Sequence, residues 1–195
     1  MISKKSQDKN VIRQSILNKR NKLSKTQINQ RSKLIQQAII DLPIFKAAKV
    51  VGAYYPKGSE VNTLTILNKV LEEQKILALP VTLGDKIFFY KISPMKYFNG
   101  DQMILSKFGI KEPSPLPADL IDDIDLLIVP GIAFDRNGYR IGYGRGFYDR
   151  YLQGKKYDFS VGLGFEFQLL DENLPHEKFD QRVNAIATEE NIVLC

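Results

Sequence analysis

The residues best suited to chemistry lie between Arg140 and Arg150, where three alternating glycines stand among three arginines. Glycine lets the backbone come close to an anion, and a helix that begins directly after such a loop points its first N–H groups at the same anion. The arginines add positive charge at the same point. The spacing therefore predicts that residues 142–146 form a phosphate-binding loop.

The setting of this loop favours phosphate binding over the alternative, a glycine-rich turn that only reverses the chain. An apolar strand precedes the loop and an amphipathic helix follows it. Two common nucleotide-binding patterns do not fit. No Gly-Lys-Ser or Gly-Lys-Thr follows the glycines, which excludes a P-loop. Gly146, the third glycine, comes one residue too early for the dinucleotide-binding pattern.

Two carboxylates are candidate metal ligands. Asp149 lies in the first turn of the helix after the loop, and Asp180 lies in a later loop. Mg²⁺ usually takes one or two carboxylates together with phosphate oxygens, so an acid beside a phosphate loop suits it. Asp149 also fits a structural role, since an acid near a helix N-terminus stabilises the helix by about 0.3–1 kcal/mol. For Asp180, an ordinary loop acid is an equally good interpretation.

Other candidates are spread along the chain. Lys9 and Arg13 are four residues apart in a predicted helix, so they share one face. That face could bind the phosphates of a nucleotide, or it could be exposed to solvent. Glu60 follows a Gly-Ser turn. It could bind the donor nitrogens of a heterocycle, or it could be exposed to solvent without a role. The aromatic residues that suit either stacking on a planar ligand or packing in the core are Tyr54, Tyr55, Phe108, Tyr143, Phe147 and Tyr148.

The hydrophobic pattern predicts the elements that position these residues. Helices are predicted over residues 4–22, 25–41, 63–74 and 147–153, and strands over 49–55, 75–80, 87–91, 125–129, 159–164, 185–188 and 192–194. Ser24 and Gln27 form a capping box for the second helix. Strands that alternate with helices predict an α/β fold with a mainly parallel sheet. Because ligands bind beyond the carboxyl ends of such strands, the loops at Tyr55, Glu60 and Pro130 are expected to meet in one crevice.

Composition limits the class of protein. The 195 residues suit one domain, 1–195, with a basic helical segment over about 1–42. Residues 1–50 hold twelve of the 28 Lys and Arg residues but two of the 22 Asp and Glu residues. This basic arm predicts an anionic partner: nucleic acid, a membrane surface or a polyanionic small molecule. The only cysteine is Cys195, and no signal-like or bilayer-length apolar run is present, so we expect a cytosolic protein.

With these residues in view, the chain resembles the 5-formyltetrahydrofolate cyclo-ligase family, also called methenyltetrahydrofolate synthetases. The motifs that carry the resemblance are Pro130-Gly-Ile-Ala-Phe-Asp135, Gly138, Arg140-Ile-Gly-Tyr-Gly-Arg-Gly-Phe-Tyr-Asp149, Lys9 with Arg13, Tyr55-Pro-x-x-x-Glu60 and Phe108-Gly-Ile-x-Glu-Pro113. The resemblance implies a three-layer α/β/α sandwich. It also implies that MgATP drives closure of 5-formyltetrahydrofolate to 5,10-methenyltetrahydrofolate, through an iminium phosphate formed when the formyl oxygen attacks the γ-phosphate.

The resemblance further implies a role for each matching residue. The residues that would bind ATP are Lys9, Asn10, Val11, Ile12, Arg13, Arg140, Ile141, Gly142, Tyr143, Gly144, Arg145, Gly146, Phe147 and Tyr148. Those that would contact the folate are Tyr55, Glu60, Phe108, Tyr143, Gly144, Arg145, Gly146 and Phe147. Asp149 and Asp180 would hold Mg²⁺, and Arg145 would be catalytic, stabilising charge on the transferred phosphoryl group.

On this basis we expect a monomer that acts on ATP and 5-formyltetrahydrofolate, with no nucleic-acid or membrane partner. A sugar-phosphate isomerase or CoA-transferase-like enzyme of the same architecture is the main alternative, and it would use the glycine loop without ATP. A nucleic-acid-binding module acting through the basic arm is a further alternative. It leaves the glycine loop without a role.

Overall fold

A computed structural model describes residues 4–94, 97, 103–107, 109–114, 116–154 and 156–195, without the side chains of residues 4–6. Its helices are α1 (Lys4–Asn21), α2 (Lys25–Asp41), α3 (Pro43–Ala47), α4 (Leu64–Glu72) and α5 (Phe147–Gln153). Its strands are β1 (Val50–Gly52), β2 (Ile76–Leu83), β3 (Lys86–Lys91), β4 (Met103–Leu105), β5 (Lys111–Pro113), β6 (Leu120–Ile121), β7 (Ile124–Pro130), β8 (Ala133–Asp135), β9 (Arg140–Ile141), β10 (Tyr157–Leu163), β11 (Leu169–Leu170), β12 (Ala185–Ala187) and β13 (Ile192–Leu194).

The main sheet has eight strands in the order β13-β12-β10-β7-β1-β2-β3-β6. The five central strands, from β12 to β2, pair in parallel. The outer strands β13, β3 and β6 pair antiparallel. This confirms the prediction of an α/β fold with a mainly parallel sheet. The apolar sequence of β7 follows from its central place, because both of its faces are covered.

Helices cover both faces of this sheet. On one face, α2, α3 and α4 bury Ile39, Phe45 and Leu67 against the strands. On the other face, Leu152 of α5 packs with Phe134 and other residues of a second cluster. The sheet therefore forms the middle layer of an α/β/α sandwich, as the resemblance implied. That the whole chain forms one domain stays a prediction.

Helix α1 lies outside these layers, against the small sheet of β11, β8 and β9. Its Ile16 packs with Ile132, Ala133 and Ile141 in a third cluster. This contact holds the basic face of α1 beside the segment that leads into the glycine loop. Among the described helices, none has the length and apolar character needed to cross a bilayer.

Several local predictions are confirmed and two are wrong. Ser24 and Gln27 form the capping box that opens α2.

The first wrong prediction is the end of a strand at Pro80: the strand continues to Leu83 and turns back into β3. Pro80 is tolerated because β1 pairs with β2 only as far as Ala78, so its missing N–H breaks no bond on that side. Residues 92–120, predicted to be irregular, contain β4, β5 and the start of β6 in their described part.

Candidate active site

A cavity of about 750 Å³ lies at the carboxyl ends of the central strands. Its volume is in the range of small-molecule binding sites. Tyr55 after β1, and Pro130 and Gly131 at the end of β7, form part of its wall. The predicted convergence of loops at this edge of the sheet is thereby confirmed.

Most of the predicted site residues meet in this cavity. Those that line it are Lys9, Arg13, Tyr55, Glu60, Arg140, Ile141, Gly142, Tyr143, Gly144, Arg145, Gly146, Phe147, Tyr148, Asp149 and Asp180. Lys9 and Arg13 belong to α1, so the structure brings together a helix and a loop that are far apart in sequence. Their spacing of four residues puts both on the helix face that is turned to the loop.

The predicted residues Asn10, Val11 and Ile12 do not line the cavity, because the intervening positions of a helix point in other directions. Val11 is 70% exposed, and Ile12 packs against the third apolar cluster. Asn10 accepts a hydrogen bond from the Arg13 guanidinium. Contact of these three residues with ATP stays a prediction. Phe108, predicted to contact the folate, lies outside the described residues.

The backbone of the glycine loop requires glycine at two positions. Gly144 has a φ of 90° and Gly146 a φ of 65°, a region that other residues rarely adopt. Two arginines that line the cavity bond the loop backbone: Arg13 Nε donates to the Gly142 carbonyl at 2.7 Å, and Arg150 Nη2 donates to the Arg145 carbonyl at 2.9 Å. Fixing the backbone in this way presents the Arg145 side chain to the cavity from an exposed position.

Paired charges lie beside this loop. Arg140 Nη2 donates to Asp149 Oδ1 at 3.0 Å, and its Nη1 donates to the Gln181 carbonyl at 2.7 Å. Burial lowers the pKa of Arg140, and the nearby Asp149 charge acts in the opposite direction. Lys9 Nζ bonds Asp180 Oδ2. Two cations predicted to bind phosphate are thus each paired with a carboxylate predicted to bind metal.

The donor set of these two acids fits Mg²⁺ shared with a nucleotide better than a metal held by the protein alone. Among the described residues there is no group of three or more His, Cys, Asp or Glu side chains arranged to bind a metal. Asp149 and Asp180 both line the cavity, with side chains 23% and 12% exposed. One or two carboxylates, with the other ligands from phosphate and water, is the usual surrounding of Mg²⁺ in nucleotide sites.

Glu60 lies in a different, buried part of the cavity and is 9% exposed. Its Oε2 accepts a hydrogen bond from the Lys57 backbone at 2.9 Å. Burial raises the pKa of Glu60, while the hydrogen bond from Lys57, the charge of Arg20 and the nearby Tyr143 side chain oppose the rise. A desolvated carboxylate of this kind is a strong acceptor for N–H donors of a ligand.

Two further residues that line or bond the site, Arg20 and Glu112, were given no role in the site from the sequence. Arg20, 2% exposed, donates to Tyr143; it follows Ile16 by four residues, so its place on the buried face of α1 was a readable signal. Glu112 lines the cavity and accepts from Thr82 Oγ1 at 3.0 Å. Tyr148, which the resemblance implied as an ATP contact, also lines the cavity, and its buried hydroxyl has no hydrogen-bond partner among the described residues.

The chain is similar in sequence to several 5-formyltetrahydrofolate cyclo-ligases. The 5-formyltetrahydrofolate cyclo-ligase of Mycolicibacterium smegmatis is 33% identical over 145 residues, which cover 73% of this chain and 74% of that protein. The 5-formyltetrahydrofolate cyclo-ligase of Haemophilus influenzae is 31% identical over 179 residues, which cover 90% of this chain and 94% of that protein.

A solved structure and a family model agree with these relatives. The NMR structure of 5,10-methenyltetrahydrofolate synthetase from Aquifex aeolicus matches with a TM-score of 0.81 and 34% identity, and covers 95% of this chain and 92% of that chain. The sequence model of the 5-formyltetrahydrofolate cyclo-ligase family matches residues 5–189. The chain, with its glycine loop, flanking cations and buried Glu60 in one cavity, belongs to the 5-formyltetrahydrofolate cyclo-ligase family.

Proposed function

We propose that the chain converts 5-formyltetrahydrofolate to 5,10-methenyltetrahydrofolate, with ATP as co-substrate and with release of ADP and phosphate. The observation that carries the proposal is the composition of the cavity. One part holds a glycine loop with cations, which suits a polyanion, and the other holds a buried carboxylate and aromatic rings, which suit a heterocycle. Membership of the family supports taking these two ligands as ATP and a folate.

The proposed chemistry makes the formyl oxygen a leaving group. The formyl oxygen attacks the γ-phosphorus, the bond from that phosphorus to the bridging oxygen breaks, and ADP leaves. The product is an N5-iminium phosphate. N10 then bonds to the formyl carbon and loses its proton, and the carbon–oxygen bond breaks to release phosphate. The protein has two tasks in this sequence: to align the two substrates and to neutralise charge on the transferred phosphoryl group.

The glycine-loop part of the cavity is proposed to bind ATP and to neutralise charge on the transferred phosphoryl group. The loop backbone, with Lys9, Arg13 and Arg140, is proposed to hold the ATP phosphates. Arg145 is proposed to be catalytic, because it is the loop arginine presented to the cavity from an exposed position. A donor aimed at charge that develops during the reaction stabilises the transition state more than the bound substrate.

Asp149 and Asp180 are proposed to hold Mg²⁺. Arg140 and Lys9 each engage one oxygen of these carboxylates. The described residues give no hydrogen bond to Asp149 Oδ2 or to Asp180 Oδ1, which therefore suit a cation. When bound with ATP, the ion supplies positive charge to the phosphate oxygens.

The folate is proposed to bind Tyr55, Glu60, Phe108 and the loop tip, residues 143–147. Glu60 accepts hydrogen bonds from the donor nitrogens of the ring, and Tyr55 offers an aromatic face. The buried Tyr148 hydroxyl, proposed as an ATP contact, supports a polar ligand in the cavity, since a buried donor is rarely left without a partner. A cytosolic monomer that uses neither nucleic acid nor membrane stays the prediction from the sequence.

The test is direct. Purified protein with Mg²⁺, ATP and 5-formyltetrahydrofolate is expected to form the methenyl product, followed by its near-ultraviolet absorbance, with one ADP for each product. Arg136→Gln is the matched control, because Arg136 is an exposed arginine paired with Asp171 and is not among the residues that line the cavity. Folded protein that makes no product would contradict the proposal. Protection from thermal unfolding by sugar phosphates but not by ATP would favour the isomerase alternative.

A further inference from the structure

Arg20 connects three loops of the cavity. Its Nε donates to Ser59 Oγ at 3.1 Å, its Nη1 to the Gly131 carbonyl at 3.3 Å, and its Nη2 to the Tyr143 hydroxyl at 2.7 Å. These acceptors lie in the loop after β1, in the turn between β7 and β8, and in the glycine loop. Because a guanidinium holds its donors in a fixed planar fork, bonding all three acceptors at once fixes their relative positions.

Tyr143 carries this connection to Glu60. Its hydroxyl accepts from Arg20. Burial and the nearby Glu60 carboxylate raise the pKa of Tyr143, so the two side chains lie close together. The Arg20 guanidinium lies 5.9 Å from the centre of the Tyr143 ring, within the range of a cation–π contact. Tyr143 is 55% exposed, so the apolar core contributes little to fixing it. Its position therefore depends on these polar contacts.

The core of the protein gives no reason for an arginine at this position. Arg20 is 2% exposed, and taking a guanidinium out of water is costly unless its hydrogen bonds are made. An apolar side chain would cover the same surface at a lower cost in free energy. The bonds that Arg20 makes go to cavity loops and not to the central strands, which indicates a role in the site.

We infer that Arg20 is a positioning residue for the proposed reaction: by bonding Tyr143, it fixes the tip of the glycine loop against Glu60, so that the phosphoryl donor and the formyl group are aligned. The alignment of the two substrates rests on the proposed function. The positioning itself can be measured without any substrate.

The first experiment measures hydrogen exchange of the amides of residues 142–146 in the protein without ligand. Exchange is expected to be about tenfold faster in Arg20→Gln and in Tyr143→Phe, the change expected on losing a hydrogen bond to a charged group. It is expected to be unchanged in Arg136→Gln, which alters an exposed arginine outside the cavity. Exchange that is the same in all four proteins would overturn the inference, whatever reaction the protein catalyses.

The second experiment is a double-mutant cycle on kcat/KM for the folate. Arg20→Gln is expected to lower kcat/KM about 10- to 100-fold and Tyr143→Phe about tenfold. The double variant is expected to be no worse than Arg20→Gln, because both substitutions break one connection. Tyr143→Phe removes only a hydroxyl from a half-exposed ring, so it remains informative if Arg20→Gln folds poorly. Effects that multiply in the double variant would contradict the inference.

The pH dependence of kcat/KM distinguishes a positioning role of Arg20 from a role in stability alone. The titratable groups that face Glu60 are Arg20 of α1, Lys57 of its own loop, Tyr54 after β1, Tyr143 of the glycine loop and Tyr148 of α5. Removing the Arg20 charge lets the pKa of Glu60 rise further, so the acid limb of kcat/KM is expected to move to higher pH in Arg20→Gln and to return part of the way in Arg20→Lys. An acid limb that stays in place would count against the inference.

The two proposals fail in different ways. If the wild-type protein makes no methenyl product, the proposed function is wrong, and the exchange experiment still decides whether Arg20 fixes the loop. If the wild-type protein is active and the loop exchanges equally in wild type, Arg20→Gln and Tyr143→Phe, the reaction is correct and the role given to Arg20 is wrong.

Discussion

The two parts of the cavity are built in opposite ways. The glycine-loop part comes largely from one continuous run, residues 140–149, and its catalytic candidate Arg145 is exposed. The Glu60 part is buried and is assembled from α1, the loop after β1 and the loop tip. Binding phosphate needs backbone N–H groups and positive charge, which a local motif can supply. Recognising a heterocycle needs a desolvated acceptor, which only tertiary packing can supply.

The two parts should therefore respond differently to substitution. Substitutions at the exposed loop arginine should change the rate and leave the fold stable. Substitutions at the buried carboxylate should change substrate binding, stability and pH dependence together.

The largest effect is expected for Arg145→Ala. Losing one donor that stabilises charge in the transition state lowers kcat about 100- to 1,000-fold. Because Arg145 is exposed, the free energy of unfolding should change by no more than about 0.5 kcal/mol. Steady-state kinetics and denaturant unfolding measure the two quantities, with Arg136→Ala as the matched control. An Arg145→Ala variant that unfolds, or one that keeps the wild-type kcat, would contradict a catalytic role for this exposed arginine.

Glu60→Gln tests the buried part. We expect KM for the folate to rise about 10- to 100-fold, since the ligand loses a charged hydrogen-bond acceptor. The exposed Glu72→Gln should leave KM unchanged. An unchanged KM in Glu60→Gln would show that this carboxylate does not contact the folate.

The same substitution predicts a pH dependence of stability. Burial raises the pKa of Glu60 in the folded protein above its unfolded value. Its stabilising contribution is therefore complete below the unfolded pKa and is lost as pH rises through the folded pKa. Near neutral pH, Glu60→Gln should be at least as stable as the wild type, whereas the two should converge or reverse in acid. Denaturant unfolding across this range measures the difference, and a variant less stable only at neutral pH contradicts the sign.

Asp149→Asn tests the charge pairs beside the glycine loop. We expect the Mg²⁺ concentration for half-maximal activity to rise about tenfold, because Asn is a neutral ligand. Stability should fall by about 1–3 kcal/mol, since buried Arg140 loses its charged partner. Asp171→Asn, in the exposed pair with Arg136, is the control and should change neither quantity. A Mg²⁺ requirement that does not change would leave Asp149 as a structural partner of Arg140 only.

The smallest effect on activity is expected for Ser24→Ala. Loss of the α2 cap should cost about 1 kcal/mol of stability. Neither part of the cavity is touched, so kcat and KM should remain at wild-type values. Ser24→Thr, which keeps a capping oxygen, should recover most of the stability. Activity that falls together with stability here would mean that the losses in the other variants reflect general destabilisation.

The features that could be predicted from the sequence have local causes. The glycine loop, the helix at Phe147–Gln153 and the Ser24 cap each follow from residues close together in the chain. The alternation of strands and helices was enough to predict the sheet and the edge at which Tyr55, Glu60 and Pro130 meet.

The features that could not be predicted depend on tertiary packing. The spacing of Arg20 from Ile16 indicates the buried face of α1, but only the packing of α1 shows the three loops that Arg20 bonds. Glu112 lies in a segment predicted to be irregular, and pairing of β4 with β5 gives it a fixed place. The pairing of Lys9 with Asp180 joins residues 171 positions apart, which no local pattern can show.

The central claim is that the two parts of the cavity hold ATP and the folate so that the formyl oxygen attacks the γ-phosphate. The most direct test uses 5-formyltetrahydrofolate with oxygen-18 in the formyl group and mass spectrometry of the phosphate released in a single turnover. The account predicts that the label is found in the inorganic phosphate, one atom for each methenyl product. Label that is found in water, with unlabelled phosphate, would contradict it.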